Sequence, residues 1–302
     1  MMAIAPYELV QKQSLPLDCK VRLATLRIEQ WHERFAGKTY VAFSGGKDST
    51  VLLHLVRAMY PDTPAVFFDT GLEFPEIRDF VSTIPNVTWM KPKMTFRSVL
   101  STHGYPVVSK RVARYVNDLV RESPKNTSTC NLRRTGMNRA GEYCPSMKLS
   151  KKWMYLVGAP FRISDKCCKI MKHQPASLYC KTTGRKAMTG EMASDSRGRA
   201  KTYLRHGCNS FDSKTPVSRP LSVWNESDVW EYLKTENVPY SKIYDMGYHR
   251  TGCAFCAFGA HLEKPPNRFQ LMKTTHPKLW EYCMTKLGMR EVLDFIGVKY
   301  EP

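Results

Sequence analysis

Short apolar runs alternate with helix-spaced stripes through the first third of the chain. Tyr40-Val41-Ala42-Phe43 has the length of one buried strand, and Thr50-Val51-Leu52-Leu53-His54-Leu55-Val56 follows it with a helical pattern. Ala65-Val66-Phe67-Phe68-Asp69 reads as a second buried strand, and the turn Thr70-Gly71 leads to a helix opening at Pro75. Val87-Thr88-Trp89-Met90 reads as a third strand, before a short helix around Phe96 to Leu100. Upstream, Leu23, Leu26, Ile28, Trp31 and Phe35 mark one face of a helix over Val21 to Phe35 that Gly37 can end. Regular structure resumes at Lys186-Ala187-Met188-Thr189-Gly190 and Val217-Ser218-Arg219-Pro220-Leu221. Asn225 can cap a following helix, with Asp228 in its first turn and Val229, Tyr232 and Leu233 as its apolar stripe. Strands alternating with helices predict an α/β fold: a parallel, twisted, Rossmann-like sheet flanked by helices, with ligands gathering beyond the strands' carboxyl ends.

The chain's 302 residues, 42% apolar and 11% aromatic, suffice for a packed core in one large domain or two modest ones. Three parts are expected: an N-terminal helical segment (1–37), an α/β domain (38–260) and a C-terminal helical segment (261–302). Residues 101–160 break the alternation. They carry Lys110, Arg111, Arg114, Arg121, Lys125, Arg133, Arg134, Arg139, Lys148, Lys151 and Lys152, with Tyr105, Tyr115, Tyr143 and Trp153 interleaved, and read as an inserted basic module. That mixture suits phosphate contacts with base stacking, and equally a solvated, partly helical insertion. The net charge of +19 exceeds what solubility requires, so a polyanion, with nucleic acid at 101–160 the foremost candidate, is an expected partner. No apolar stretch has membrane-spanning length and the start at Met1 lacks a secretion signal's pattern, so a cytoplasmic location without membrane contact is expected.

Between the first strand and its helix stands Ser44-Gly45-Gly46-Lys47-Asp48-Ser49. Two glycines remove side chains from a turn that opens a helix, where unpaired N–H groups and a partial positive charge favour a phosphate. The spacing is not that of the commoner Gly-x-x-x-x-Gly-Lys-Ser/Thr loop. It resembles the PP-loop of the adenine nucleotide α-hydrolases, which implies that Ser44, Gly45, Gly46, Lys47, Asp48 and Ser49 hold the pyrophosphate of ATP, whose α–β bond is the one cut. Asp69, with Thr70 beside it, ends the neighbouring strand, where it can face ribose, adenine or Mg²⁺, and Asp48 can reach the metal through water. An Asp at a turn or in a helix's first turn also stabilises the backbone alone.

Ten cysteines without an export signal point to metal or redox chemistry rather than a disulfide framework. Cys253 and Cys256 form a C-x-x-C that can bind one metal centre from a single turn. Adjacent Cys167 and Cys168 can complete a four-thiolate set, with Cys208 as a rival for one place, and nearby lysines favour thiolates. Four thiolates suit either Zn²⁺ or a 4Fe-4S cluster. Cys167-Cys168 with Lys172 and Pro175, followed by the C-x-x-C, is similar to the cluster signature of the iron–sulfur sulfonucleotide reductases, which implies the 4Fe-4S form.

Together with Asp69-Thr70-Gly71 and the run from Trp224 to Leu233 into Gly247-Tyr248, these motifs resemble the phosphoadenosine phosphosulfate (PAPS) reductase family over residues 38–260. The intact loop is closer to the superfamily's ATP-using sulfur enzymes than to the modified loop of typical reductases. Three features depart from the reductases. The chain ends Ile296-Gly297-Val298-Lys299-Tyr300-Glu301-Pro302 without their Glu-Cys-Gly-His-like segment, and Cys283 lies in an apolar helical setting suited to a structural role. Met192 replaces an arginine of their Gly-x-Arg-x-x-x-Ser-x-x-Arg segment, leaving Ser196 and Arg199 for nucleotide binding. The basic stretch is the third departure.

The resemblance implies an enzyme that adenylates an acceptor, possibly nucleic acid, for sulfur transfer, with Lys47 stabilising charge on the phosphates and Asp48 holding the metal. Two alternatives are a reductase releasing sulfite from PAPS or adenylyl sulfate with an electron-donating partner protein, and a noncatalytic nucleotide- or nucleic-acid-binding regulator.

Overall fold

A computed structural model describes residues 4–302. Its strands are β1 (Thr39–Ala42), β2 (Ala65–Phe68), β3 (Val87–Met90), β4 (Val107–Val108), β5 (Lys186–Met188), β6 (Asn209–Ser210), β7 (Val217–Ser218) and β8 (Ala257–Phe258). The chain packs as two units. The first comprises the residues up to Asp69, Glu73–Lys91 and Pro175–Thr251; the second comprises Thr70–Leu72, Pro92–Gln174 and Gly252–Pro302.

The first unit carries the predicted sheet, in the order β3-β2-β1-β5-β7-β6, parallel except where β6 meets β7. Tyr40, Val41, Val66 and Phe67 are buried at its centre. The helix Lys47–Met59 buries Val51, Leu52, Leu53, Leu55 and Val56, so the predicted apolar run forms its packed face. From β1 the chain runs outward through β2 and β3, then returns to β5 on the other flank of β1. This reversal makes the carboxyl ends of β1 and β5 the place where an open α/β sheet leaves a crevice for ligands.

The predicted N-terminal helix forms over Leu17–Arg34, but its buried stripe is Lys20, Ala24, Ile28 and Trp31, and Leu26 is exposed. Leu26 falls off the line of positions three and four apart that faces the protein. The lysine in this seam is 2% exposed and its ammonium lies 2.7 Å from the carboxylate of Asp228. Asp228 also accepts a 2.6 Å hydrogen bond from the Asn225 N–H, closing the first turn of the helix Glu226–Thr235.

In the second unit β4 pairs with β8 in parallel. The expected borders at 37 and 260 differ from the observed grouping, in which residues 101–160 pack with the C-terminal segment. The Tyr105 hydroxyl donates to Leu287 O at 2.8 Å, and the rings of Tyr155 and Phe295 lie 5.6 Å apart. The reason is apolar surface: the helix Lys110–Val120 buries Val112, Ala113, Val116 and Leu119, which a detached basic module would leave in water. Part of the basic charge is neutralised locally, as Arg114 pairs with Asp165, Arg133 with Asp118 and Arg134 with Glu122. Among the described residues, no helix is long and apolar enough to cross a membrane.

Replacing Asp228 by Ala strands the Lys20 ammonium in the core and removes a helix-end acceptor. A loss of about 3–5 kcal/mol is expected, read as a lower midpoint in urea unfolding, whereas substitution of exposed Leu26 by Ala leaves the midpoint nearly unchanged.

Candidate nucleotide and metal sites

The Ser44–Ser49 loop leaves β1 and enters the helix Lys47–Met59 through Gly46. Gly45 has φ +70°, a left-handed conformation, and a Cβ there would lie 2.8 Å from Val81 Cγ2 and 2.9 Å from Ile77 Cγ2. A Cβ on Gly46 would lie 2.6 Å from Thr251 Oγ1. Both positions therefore require glycine, for backbone angle at one and space at both. The loop is braced internally: Ser49 Oγ donates to Gly46 O at 2.9 Å and accepts from Ser44 N at 3.1 Å, while Ser44 Oγ accepts from Gly46 N at 3.3 Å.

Lys47 is 4% exposed, with its ammonium 3.1 Å from Glu226 Oε1, 3.5 Å from Asp48 Oδ1 and 3.2 Å from the His249 carbonyl oxygen. Burial opposes its charge, but Asp48, Tyr244 and Glu226 together outweigh that and hold its pKa above the ordinary lysine value. The Lys47 N–H, one of the donors expected to meet a phosphate, donates to the Tyr244 hydroxyl at 2.8 Å. Tyr244 thus takes the position of an oxygen ligand at the helix start. Burial pushes the Asp48 carboxyl up, Lys47 pulls it down and Asp195 adds to the rise. Among the described residues, no group donates a hydrogen bond to the buried Asp48 Oδ1, and the Lys47 ammonium stands 3.5 Å away. A buried carboxylate oxygen with that deficit fits a hard divalent cation such as Mg²⁺.

The loop end of β5 closes against the same turn, where a Cβ on Gly190 would lie 2.7 Å from Asp48 O. Beyond it, Asp195 pairs with Arg199 and, at 3.6 Å, with Arg250, while Glu191 pairs with Arg219 at 2.9 Å. Ser196 Oγ accepts from Arg199 N at 3.2 Å and so caps the helix Arg197–His206, while the Arg199 side chain is engaged by carboxylates. Met192 is buried at 2% exposure. Asp69, at the end of β2, is buried and paired with Arg78 at 3.1 Å. Thr70 belongs to the second unit, where its hydroxyl accepts from Leu72 N at 3.3 Å. Tyr244, Glu226, Asp195, Gly190 and Thr251 join the site without a role read from the sequence. Gly190 opens the Gly-x-Arg-x-x-x-Ser-x-x-Arg segment that also spans Asp195, and Glu226 stands in the run from Trp224 to Leu233, whereas Tyr244 and Thr251 carry no local signal.

In the second unit, Cys167, Cys168, Cys253 and Cys256 line one small cavity with Leu72, Phe96, Pro106, Met171 and Lys172. The two adjacent cysteines stand 4.0 Å apart, sulfur to sulfur, where a short helical turn passes into the π-helical turn Lys169–His173. The hydrogen bond from the Cys167 thiol holds Cys168 down at about 6, with Lys110 and Lys172 helping, while Cys167 itself is pushed up. Burial pushes Cys256 up to about 11, with Cys253 adding to the rise. Among the described residues, no group of three or more His, Cys, Asp or Glu side chains converges to hold a single metal ion. The donor set, four thiols with apolar walls and a lysine, fits a thiolate-bound cluster. Cys208 lies in the first unit near Arg27 and Ser222, and does not line this cavity. Cys283 is fully buried and its thiol pushed up by burial, a structural placement.

Residues 38–103 and 110–258 match the family model described as phosphoadenosine phosphosulfate reductase domain. An adenosine 5'-phosphosulfate reductase of Geobacillus thermodenitrificans is 26% identical over 264 residues, covering 85% of this chain and 88% of that protein. An uncharacterised protein of Methanocaldococcus jannaschii is 27% identical over 84% of this chain, and a second is 24% identical over 87%. The chain spans only 42% and 52% of those two proteins. The crystal structure of a phosphoadenylyl-sulfate reductase from Candida auris, in its phosphate complex, aligns with TM-score 0.44 and 18% identity over 80% of this chain and 96% of that one.

Gly45→Ala forces a left-handed alanine, costing on the order of 1–2 kcal/mol, and pushes a methyl into Val81 and Ile77. Equilibrium dialysis with ATP is expected to show loss of binding, whereas Gly158→Ala, whose Cβ meets nothing within 4 Å and whose backbone is not left-handed, retains it.

Proposed function

The chain belongs to the phosphoadenosine phosphosulfate reductase domain family, and from that premise we propose that it is an adenine-nucleotide enzyme of sulfur chemistry that adenylates an acceptor for sulfur transfer. The observation that carries this reading is the intact Gly45–Gly46 turn holding Lys47 beside Asp48, whose buried Oδ1 has no hydrogen bond among the described residues. Asp48 would hold Mg²⁺, neutralising its buried carboxylate and the pyrophosphate of ATP together. Lys47 would exchange its Glu226 and His249 partners for phosphate oxygens, and the Lys47 N–H would exchange the Tyr244 hydroxyl for another. An acceptor oxygen then bonds to the α-phosphorus as the bond to the bridging oxygen breaks, and the Lys47 ammonium stabilises the negative charge leaving with pyrophosphate.

Cys167, Cys168, Cys253 and Cys256 would hold a 4Fe-4S cluster, which supplies electron-transfer or sulfur chemistry when bound. The surplus positive charge supports nucleic acid as acceptor: Arg111, Arg121, Lys125, Arg139, Lys151 and Lys152 are exposed in the second unit. The second reading, a sulfonucleotide reductase releasing sulfite, is favoured by the Geobacillus relative and opposed by the burial of Cys283.

Anaerobically purified protein is expected to contain about four irons per chain and absorb broadly in the visible, and Cys253→Ser to lose both. Incubation with Mg²⁺, ATP and single-stranded DNA is expected to release pyrophosphate, and Asp48→Asn to reduce the rate by on the order of a hundredfold. Sulfite release from PAPS or adenylyl sulfate, with no pyrophosphate from ATP, would replace this reading by the reductase.

A further inference from the structure

The second unit has another concavity, which shares no residue with the four-cysteine cavity. It is a cleft of about 450 Å³ walled by Val116, Val120, Leu156 and Phe161, with Arg121 and Arg162 on its lining. That volume lies in the range of sites that enclose small ligands. Three arginines of the same unit, Arg114, Arg133 and Arg134, each have a carboxylate partner. Arg121 and Arg162 have none among the described residues; the Arg162 guanidinium makes one 3.3 Å hydrogen bond, to Thr102 O. Two full positive charges therefore stand without counterions beside apolar walls. Phe161 is held edge-on by Tyr105 and Phe295, with centroids 5.5 and 5.4 Å away, and Val120 is 56% exposed. Asn117 adds an amide able to donate and accept. The helix Lys110–Val120 ends here with a partial negative charge of roughly half a unit, too little to cancel two guanidiniums.

We propose that this cleft binds one nucleotide unit, its base against the apolar wall and its phosphate on Arg121 and Arg162. A planar apolar ring joined to a phosphate matches both halves of the lining, and aromatic stacking with arginine contacts is how single strands are held without sequence preference. The inference deepens the nucleic-acid acceptor reading and rests on it. The nucleotide can come from a single strand or from free nucleotide, and the two sources separate in the test.

Fluorescence anisotropy of labelled oligothymidylate, a base the PP-loop is not expected to read, measures the cleft. Arg121→Ala with Arg162→Ala is expected to weaken binding on the order of tenfold per arginine and to reduce the slope of log affinity against log salt by about 0.7 for each phosphate no longer neutralised. Val120→Trp, which fills the cleft and keeps both arginines, is expected to weaken binding too. Lys47→Ala is expected to lose ATP and keep the oligonucleotide, so failure of the cleft and failure of the loop are distinguishable. Competition by thymidine monophosphate marks free nucleotide as a source; oligonucleotide binding without such competition marks the single strand. Photocrosslinking of 4-thiothymidine oligonucleotide to the unaltered protein is expected to label residues 116–121 or 156–163. Absent oligonucleotide binding, unchanged affinity and salt slope in both cleft variants, or adducts confined to other residues overturns the proposal.

Discussion

The turn at Gly45 and Gly46 is held so tightly that it tolerates no side chain. Ile77 and Val81 press on it from the helix Pro75–Thr83, and Thr251 Oγ1 and the Tyr244 hydroxyl press from the loop before the second unit. Gly190 packs on the helix start from the end of β5. Segments far apart in sequence thus meet on bare backbone, and their packing fixes where the first helical N–H groups point. The sheet order explains why they can meet there, since the strand reversal leaves the carboxyl ends of β1 and β5 open to one another's loops.

That turn also dictates the electrostatics. Lys47 cannot reach water, so its charge is stabilised by Glu226, Asp48 and a backbone carbonyl. Bringing a polyphosphate to this point would crowd it against Asp48, Asp195 and Glu226, so its binding requires a cation to screen those carboxylates or their release from the site. Burial and Asp195 lift Asp48 against the pull of Lys47, while Asp48, Tyr244 and Glu226 lift Lys47 against the opposing effect of burial.

The elements that form the first unit were legible because their apolar periods are local. Val87–Met90 forms as the strand read from it, and the strands after Tyr40 and Ala65 and the helix after Ser49 fall within a few residues of their predicted ends. Leu26 was misplaced because a stripe read one side chain at a time does not reveal which positions share the buried line, and Lys20 was missed because a lysine in that line depends on Asp228, a partner far along the chain. The loop's two glycines announced the turn, but not that Tyr244 would occupy one of its donors. No local pattern couples a tyrosine to a loop almost two hundred positions earlier, and the pairing of residues 101–160 with the C-terminal segment was hidden for the same reason.

The four cysteines show how little of a candidate metal site lies in the thiols alone. Cys168 is held down to about 6 by its neighbour's hydrogen bond, with Lys110 and Lys172 helping; Cys167 is pushed up by its hydrogen bond to Cys168 and by burial, and Cys256 by burial and Cys253. A metal centre that takes all four as thiolates must expel the thiol protons, so loading is coupled to proton release and grows more favourable as pH rises. Lys110 and Lys172 then matter twice, first in ionising Cys168 and afterwards in offsetting the negative charge that four thiolates bring into an apolar cavity. A basic chain is what such a cavity needs locally, before any of its charge is available to a nucleic acid.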